Sequence, residues 1–532
     1  MANTGQLDAI IVGAGIAGLY MLHRLRQAGL SVLVLERGKG VGGTWYWNRY
    51  PGARCDVESL EYSYSFSERL QQEWNWSERY SGQPEILDYI NHVANRFDLL
   101  SGIQFGTKVE KARYDETHAC WIINTDQGDR ITSKFLIMAT GCLSSANIPQ
   151  IEGRESFKGA TYHTGSWPHH EIDFSGQRVG VIGTGSSAIQ AIPHIAAECE
   201  SLTVFQRTAN YSVPARNGTI NKTYEAEVKA NYAEFRKRNR MMPAALGSTF
   251  TGSNQSALEA SPEEQQMEFA KRWNIGGFGF LGAYNDLTIN KESNDVAAEF
   301  VRERIRETVA DANTAGLLCP DSVIGCKRLC LDTNYFETYN MPHVHLVDIR
   351  EDPIQRIMPT GIRCKNTVYE LDDIVFATGF DAMTGTLLRI RITGRSGLTL
   401  QDAWKAGPRT YLGLTVKGFP NMFLISGPGS PSVLTNMIVS IEQHVEWIER
   451  CVSYILEKQY SAIEAEQGSQ DGWVEHVNLI ASKTLYPSCN SWYRGANIPG
   501  KPRVFMPHIG FPTYVAQCEE VESAGYSGFE FY

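Results

Sequence analysis

Two glycine-rich turns carry most of the chemistry legible in this chain of 532 residues. The first, Gly13-x-Gly15-x-x-Gly18, follows the apolar run Ala9-Ile10-Ile11-Val12 and is answered downstream by Glu36. Such a turn alone is a weak signal. A strand before it, a helix after it and an acid at this distance make it a dinucleotide site. The glycines let the backbone approach a pyrophosphate, whose charge meets the positive end of a helix. Glu36 would accept hydrogen bonds from the ribose hydroxyls of an adenosine lacking a 2′-phosphate, which assigns this turn to FAD. The second turn, Gly183-Thr184-Gly185-Ser186-Ser187-Ala188, has Ala at its third glycine, and Gln206-Arg207-Thr208 stands where the acid would be. An arginine beside a hydroxyl suits a 2′-phosphate through charge-assisted hydrogen bonds. The coenzyme expected at Thr184, Gly185, Ser186, Ser187, Arg207 and Thr208 is therefore NADPH; the alternative for Arg207 is a solvated charge at a strand end.

Between the turns lies Phe157-x-Gly159-x-x-x-His163-x-x-x-Trp167-Pro168. This string resembles the fingerprint of type I flavin-dependent Baeyer–Villiger monooxygenases, which insert one oxygen of O2 beside a ketone carbonyl to give an ester or lactone. Flavin N- and S-oxygenases share most of the string but usually end it in Tyr or Phe without Pro, and they are the alternative reading. A non-oxygenating NADPH–flavin electron carrier is a third. Segments 58–67, 407–414, 427–447 and 495–506 look most like the phenylacetone and steroid monooxygenase branch.

The resemblance implies a set of roles. Around FAD it adds Gly43, Thr44, Trp45 and Arg54 of the aromatic, glycine-rich loop 42–56, with Asp56, Tyr62, Val109 and Met437. It sets Lys327 beside Arg207 at the 2′-phosphate, Trp492 over the nicotinamide, and Cys142, Ser432, Val433 and Leu434 along the ketone pocket. Arg328 matches the family's active-site arginine, also in contact with NADP and oriented by Asp56. The oxygenating species implied is a flavin C4a-peroxide that must stay anionic to attack a carbonyl, and a guanidinium keeps its proton at neutral pH and so stabilises that anion. His163 and Trp167 are expected to act between domains, His163 either in a hydrogen-bond network or as a satisfied buried histidine. Cys142 stands where a larger polar residue is expected.

The elements that must position these groups follow from hydrophobic pattern. Leu19, Leu22 and Leu25 mark a helix that Gly29 stops, and Val32-Leu33-Val34-Leu35 closes the first βαβ unit. The second unit runs from Val179 through a helix over Ile189, Ile192 and Ile195 to Leu202-Thr203-Val204-Phe205. Strands ending in Ala139-Thr140-Gly141 and Ala377-Thr378-Gly379 are expected where the chain crosses between domains. Charged helical texture at 224–240 and 293–311 reads as an insertion. The fold class is α/β: two Rossmann-like dinucleotide-binding domains, for FAD and NADP, with a helical insertion in the NADP domain. The expected boundaries are 1–145 and 381–532 for FAD, 146–216 and 326–380 for NADP, and 217–325 for the insertion.

A net charge of −10 argues against a nucleic-acid surface. The apolar stretch within 1–25 lacks a basic start and is broken by glycines, so it reads as strand and helix and not as a signal peptide. No run reaches the roughly 20 apolar residues of a membrane span. The eleven cysteines include no C-x-x-C pair, which leaves no redox dithiol motif and no metal site; free buried thiols in a reducing cytosol are expected. The partners implied are a small-molecule ketone and O2, acting on a cytoplasmic monomer.

Overall fold

The computed structural model describes residues 6–250 and 252–532. Residues 1–5 of the expected FAD segment and Thr251 of the expected insertion lie outside them. Short β-branched runs pair in parallel because each is buried on both faces. In the first sheet Met422–Leu424, Arg130–Met138, Leu7–Val12, Val32–Leu35 and Ile103–Gln104 run parallel in that spatial order, and Arg391–Thr393 pairs in parallel with Val109–Asp115 at the far edge. An antiparallel meander of Val109–Asp115 and Cys120–Thr125 leads into Arg130–Met138. The second sheet is entirely parallel, in the order Val344–Asp348, Ser201–Gln206, Arg178–Ile182, Asp373–Phe376, Ala160–His163. It carries its own antiparallel meander, Ile354–Met358, Gly361–Cys364 and Val368–Glu370.

The two units repeat one packing device. The helix Ile16–Gln27 starts at Gly15 and the helix Ser186–Ala196 at Gly185, neither capped by a side chain. A side chain at Gly13 (φ +106°) would meet the Ala139 carbonyl at 2.6 Å, and one at Gly183 (φ +113°) the Ala377 carbonyl at 2.5 Å. The Ala-Thr-Gly strand ends are thus the surfaces on which the nucleotide turns rest. Beyond them the two crossing segments run together: the amide of Asn147 donates to the Gly379 carbonyl at 2.9 Å and that of Met383 to the Cys142 carbonyl at 2.7 Å.

The chain leaves and re-enters the second unit through the parallel pair Ser212–Pro214 and Cys330–Asp332. What lies between does not pack as one body. Ile220, Val228, Tyr232 and Phe235 join the core of the first unit, whereas Phe269, Phe280, Phe300 and Ile305 join that of the second. The helical texture at 224–240 resolves into two helices, Lys222–Ala230 and Tyr232–Arg240, broken at Asn231 (φ −141°, ψ 44°). The expected helix at 293–311 spans Lys291–Thr308. Loop 42–56 forms no regular helix beyond one turn, Thr44–Trp47. The C-terminal part returns to the first unit through the helix Met437–Glu457, held to Ile16–Gln27 by the Arg24–Glu449 ion pair at 2.7 Å and a Tyr20–Glu446 hydrogen bond at 3.0 Å. Among the described residues no helix is long and apolar enough to cross a membrane.

The cysteine expectation needs one correction. Nine thiols are free, but Cys326 and Cys489 form a disulfide with their Cα atoms 6.1 Å apart. A separation of 163 residues hides this pairing from any local motif.

Gly18 tests the packing of the first turn. A Cβ there would lie 1.8 Å from the Gly13 carbonyl oxygen, so Gly18→Ala forces the helix off the strand at roughly 1–3 kcal/mol. Thermal unfolding should show a melting temperature lowered by several degrees, with flavin lost on gel filtration. Gly316→Ala, in the helix Ala312–Leu318 with no atom within 4 Å of the new Cβ, should leave both unchanged.

Candidate active site

One cavity of about 2110 Å³ runs between the two units, more than twice the roughly 300–1,000 Å³ typical of a small-molecule site. It is large enough for two dinucleotides. Of the residues singled out from sequence, it is bordered by Gly13, Gly15, Glu36, Gly43, Thr44, Trp45, Arg54, Asp56, Tyr62, Val109 and Met437. Thr184, Gly185, Ser186, Ser187, Arg207, Thr208, Lys327, Arg328, Trp492, Cys142 and Val433 border it as well. Gly18, Ser432 and Leu434 do not. Gly18 is packed under the turn. Ser432 is fully buried and donates to the Met383 sulfur at 3.6 Å, and Leu434 packs into the apolar cluster behind the wall.

The residues at each turn fit the groups expected there. Glu36 is buried, with one carboxylate oxygen accepting from the Ala14 amide at 2.7 Å and the other from the Gly38 amide at 2.6 Å. Its remaining lone pairs are available to ribose hydroxyls. Both uncapped helix starts leave N–H groups for a pyrophosphate. Arg207 and Lys327 form no ion pair among the described residues. Burial and the neighbouring Arg207 charge hold the Lys327 ammonium below its usual range, and an anion between the two cations would relieve both effects. Arg54 borders the cavity, but its guanidinium is engaged by Glu78 at 2.9 Å and the Tyr80 carbonyl at 3.1 Å.

Arg328 precedes the strand Cys330–Asp332 and reaches across the cavity to Asp56 in loop 42–56. Its Nε and Nη2 both donate to the Asp56 carboxylate, Nη2 at 2.7 Å, and Nη1 donates to the Val433 carbonyl at 2.8 Å. Two of the guanidinium's five N–H groups are left without a protein partner among the described residues. The ring of Phe278 lies 5.0 Å below the charge. Enclosure in the protein opposes the charge, but the Asp56 carboxylate and its hydrogen bonds outweigh it and raise the Arg328 pKa further. The cation is permanent.

Beside it the wall turns apolar at Cys142, Ala382 and Val433, backed by Met383, Tyr493 and Phe505 of the same cluster. Burial pushes the Cys142 thiol up, so this position offers a neutral surface. Trp492 begins a single turn, Trp492–Arg494, with its ring 4.3 Å from that of Tyr493. The fingerprint string lies between the units. The Trp167 amide donates to the Trp47 carbonyl at 3.1 Å, and His163 Nδ1 accepts from the Gly165 amide at 2.9 Å while Nε2 lies 3.4 Å from the Thr378 hydroxyl. Burial keeps His163 below its ordinary pKa. Three contributors escaped the sequence reading: Phe278, the Val433 carbonyl and the Cys326–Cys489 bridge. A backbone acceptor leaves no trace in residue type, and Phe278 lies in the insertion with only its neighbouring glycines to mark it.

Residues 10–292 match the family model for pyridine nucleotide-disulphide oxidoreductases. The chain is 41% identical over 527 residues to a phenazine N-monooxygenase of Lysobacter antibioticus, covering 98% of this chain and 96% of that one. It is also 41% identical over 525 residues to a Baeyer–Villiger monooxygenase of Pseudooceanicola batsensis, covering 98% and 95%. Among solved structures, an oxidized steroid monooxygenase bound to NADP superposes with a TM-score of 0.94 at 49% identity over 99% of each chain. Cyclohexanone monooxygenase superposes at 0.97 in a closed crystal structure, with 40% identity over 100% of each chain. Its open crystal structure gives 0.92, with 39% identity over 99% of this chain and 100% of that one. Likeness at this level, sustained over nearly the full length of every chain compared, makes this protein a member of the Baeyer–Villiger monooxygenases, flavoproteins that work with FAD and NADPH.

Proposed function

We propose that this chain carries out the NADPH- and O2-dependent oxidation of a ketone to an ester or lactone, as a cytoplasmic monomer with the segment boundaries given above. Bound FAD and NADPH supply hydride transfer and the activation of dioxygen. The protein's own part is positioning and charge. Glu36 and the first helix start hold the flavin nucleotide; Thr184, Ser186, Ser187 and the second helix start hold the coenzyme pyrophosphate; Arg207, Thr208 and Lys327 hold its 2′-phosphate. Arg328 is the catalytic cation and Asp56 its orienter.

The observation that carries this reading is the Arg328 guanidinium, fixed on one edge by Asp56 and Val433 and open on the other, next to an apolar wall. Attack on a carbonyl carbon builds negative charge on oxygen, and a fixed donor pair beside that oxygen stabilises it without reorganisation. Cys142 and Val433 line the ketone's side of the cavity, while Ser432 and Leu434 support that wall from behind. Trp492 covers the nicotinamide end.

Relatedness to a phenazine N-monooxygenase favours a second reading, oxygen transfer to an aromatic nitrogen. A nitrogen lone pair develops no oxyanion on the substrate and makes little use of Arg328. Incubating the enzyme with NADPH and a ketone panel, and in parallel with a phenazine, decides between them: ester or lactone products are expected, and N-oxide alone would reverse the assignment.

Arg328→Ala should leave flavin reduction by NADPH within a few-fold of wild type, followed as bleaching near 450 nm. Ester formation should fall by about two to three decades, the usual loss for one oxyanion donor. Undiminished ester yield would remove Arg328 from its role. Arg207→Ala and Lys327→Ala should each raise the KM for NADPH by about tenfold to a hundredfold, the worth of one charge-assisted hydrogen bond, with KM for NADH little changed. Equal effects on both coenzymes would place the 2′-phosphate elsewhere.

A further inference from the structure

Two cysteines that the oxygenation does not use meet at the wall of the coenzyme cavity. Cys326 immediately precedes Lys327 and Arg328, and Cys489 lies just ahead of Trp492. Their Cα separation of 6.1 Å falls within the roughly 4.4–6.8 Å that a disulfide spans without moving the backbone. None of the other nine cysteines has a sulfur partner. The pair is shielded from the surface, at 2% and 6% exposure, under Val323 and Leu485. Cys489 nevertheless borders the cavity, so small oxidants and thiols reach the bridge from the coenzyme's side.

The segment tied down by this bridge has little structure of its own. Residues 485–503 contain two single turns, Tyr486–Ser488 and Trp492–Arg494. The far end is held by polar contacts to the crossing segment: Asn497 donates to the Phe380 carbonyl at 2.7 Å and Lys501 to Asp381 at 2.6 Å. The near end is held by the sulfur bridge and by the Leu485 amide, which donates to the Thr288 carbonyl at 2.8 Å. In this cross-linked state the chain superposes better on the closed form of cyclohexanone monooxygenase, at 0.97, than on its open form, at 0.92.

We propose that Cys326 and Cys489 are a reversible thiol–disulfide site whose oxidised form ties the Trp492 segment to the Lys327–Arg328 stretch and slows coenzyme release. This rests on the coenzyme placement proposed above. The oxidant is hydrogen peroxide. The Cys489 sulfur attacks one peroxide oxygen, the O–O bond breaks, and Cys489 becomes a sulfenic acid as the first water leaves. The Cys326 thiol then attacks that sulfur, the S–O bond breaks, the S–S bond forms and a second water leaves. The sulfur pair loses two electrons and the peroxide gains them. A small dithiol reverses the reaction through a mixed disulfide, oxidising itself.

The test uses FAD-loaded full-length protein, either reduced with dithiothreitol and desalted or then treated with hydrogen peroxide. Alkylation under denaturing conditions and intact mass should report two fewer modified cysteines after peroxide, with a tryptic peptide joining Cys326 to Cys489. Tryptic cleavage of the native protein at Arg494 and NADP+ release after rapid dilution should each slow about fivefold or more, as expected when a local opening is suppressed. C489S and C326S should both be cleaved and release NADP+ like the reduced protein under either treatment. An unchanged thiol count, or unchanged cleavage or NADP+ release in cross-linked protein, overturns the proposal. The thiol count and the cleavage rate do not depend on which substrate is oxidised. Their failure is therefore separable from failure of the oxygenase reading, which the ketone and NADPH assays decide.

Discussion

The constraint on which this structure depends is a guanidinium, a quarter exposed at the cavity wall, that must stay charged and fixed in place. At about 4 Å and an effective dielectric near 20, one carboxylate is worth roughly 4 kcal/mol to it. Asp56 comes closer than that and in bidentate geometry. Neither residue is useful without the other, because a lone charge in this position carries a desolvation penalty of several kcal/mol. The two come from opposite sides of the cavity, and the third contact comes from the C-terminal part through the Val433 carbonyl. The site is therefore an interface. Its geometry is right only when three separated segments have been brought together.

Duplication explains how the segments find that arrangement. Each unit has a parallel sheet, a glycine turn resting on an Ala-Thr-Gly strand end and an antiparallel meander. In open α/β sheets ligands bind beyond the carboxyl ends of the strands. Two such units joined by paired crossing segments direct both nucleotides toward a shared cavity. The fingerprint string secures the arrangement from outside the chemistry, with Trp167 bonded to the flavin-side loop and His163 next to the crossing strand. The split insertion adds a further tie, since its first helices pack on one unit and its later ones on the other.

Legibility in the sequence followed the range of the interactions. Gly13, Gly15, Glu36 and the strands around them form a pattern within about forty residues of sequence, although Gly13 itself rests on Ala139, and both βαβ units were readable to within a residue or two. Arg207 stood out because an expected acid was missing, and it borders the cavity. The substrate wall was not. Ser432, Val433 and Leu434 were grouped as one lining, yet only Val433 borders the cavity. Ser432 adopts a left-handed φ of 45° within the turn Ser432–Leu434, and this sends consecutive side chains in directions that neither a strand nor a helix period describes. The break at Asn231 was hidden likewise, because both helices keep a polar face of the same texture.

The cysteine pair shows the opposite limit. Cys326 and Cys489 carry no local signal and are brought together only by the tertiary arrangement that also brings Arg328 to Asp56. Residues 326 and 328 are separated by one lysine, and any restraint on Cys326 is also a restraint on the backbone that carries Arg328. The polar ties of Asn497 and Lys501 to the crossing segment persist whatever the state of the sulfurs. Reduction therefore loosens one end of the 485–503 segment without freeing it, and Trp492 lies close to the end that is loosened.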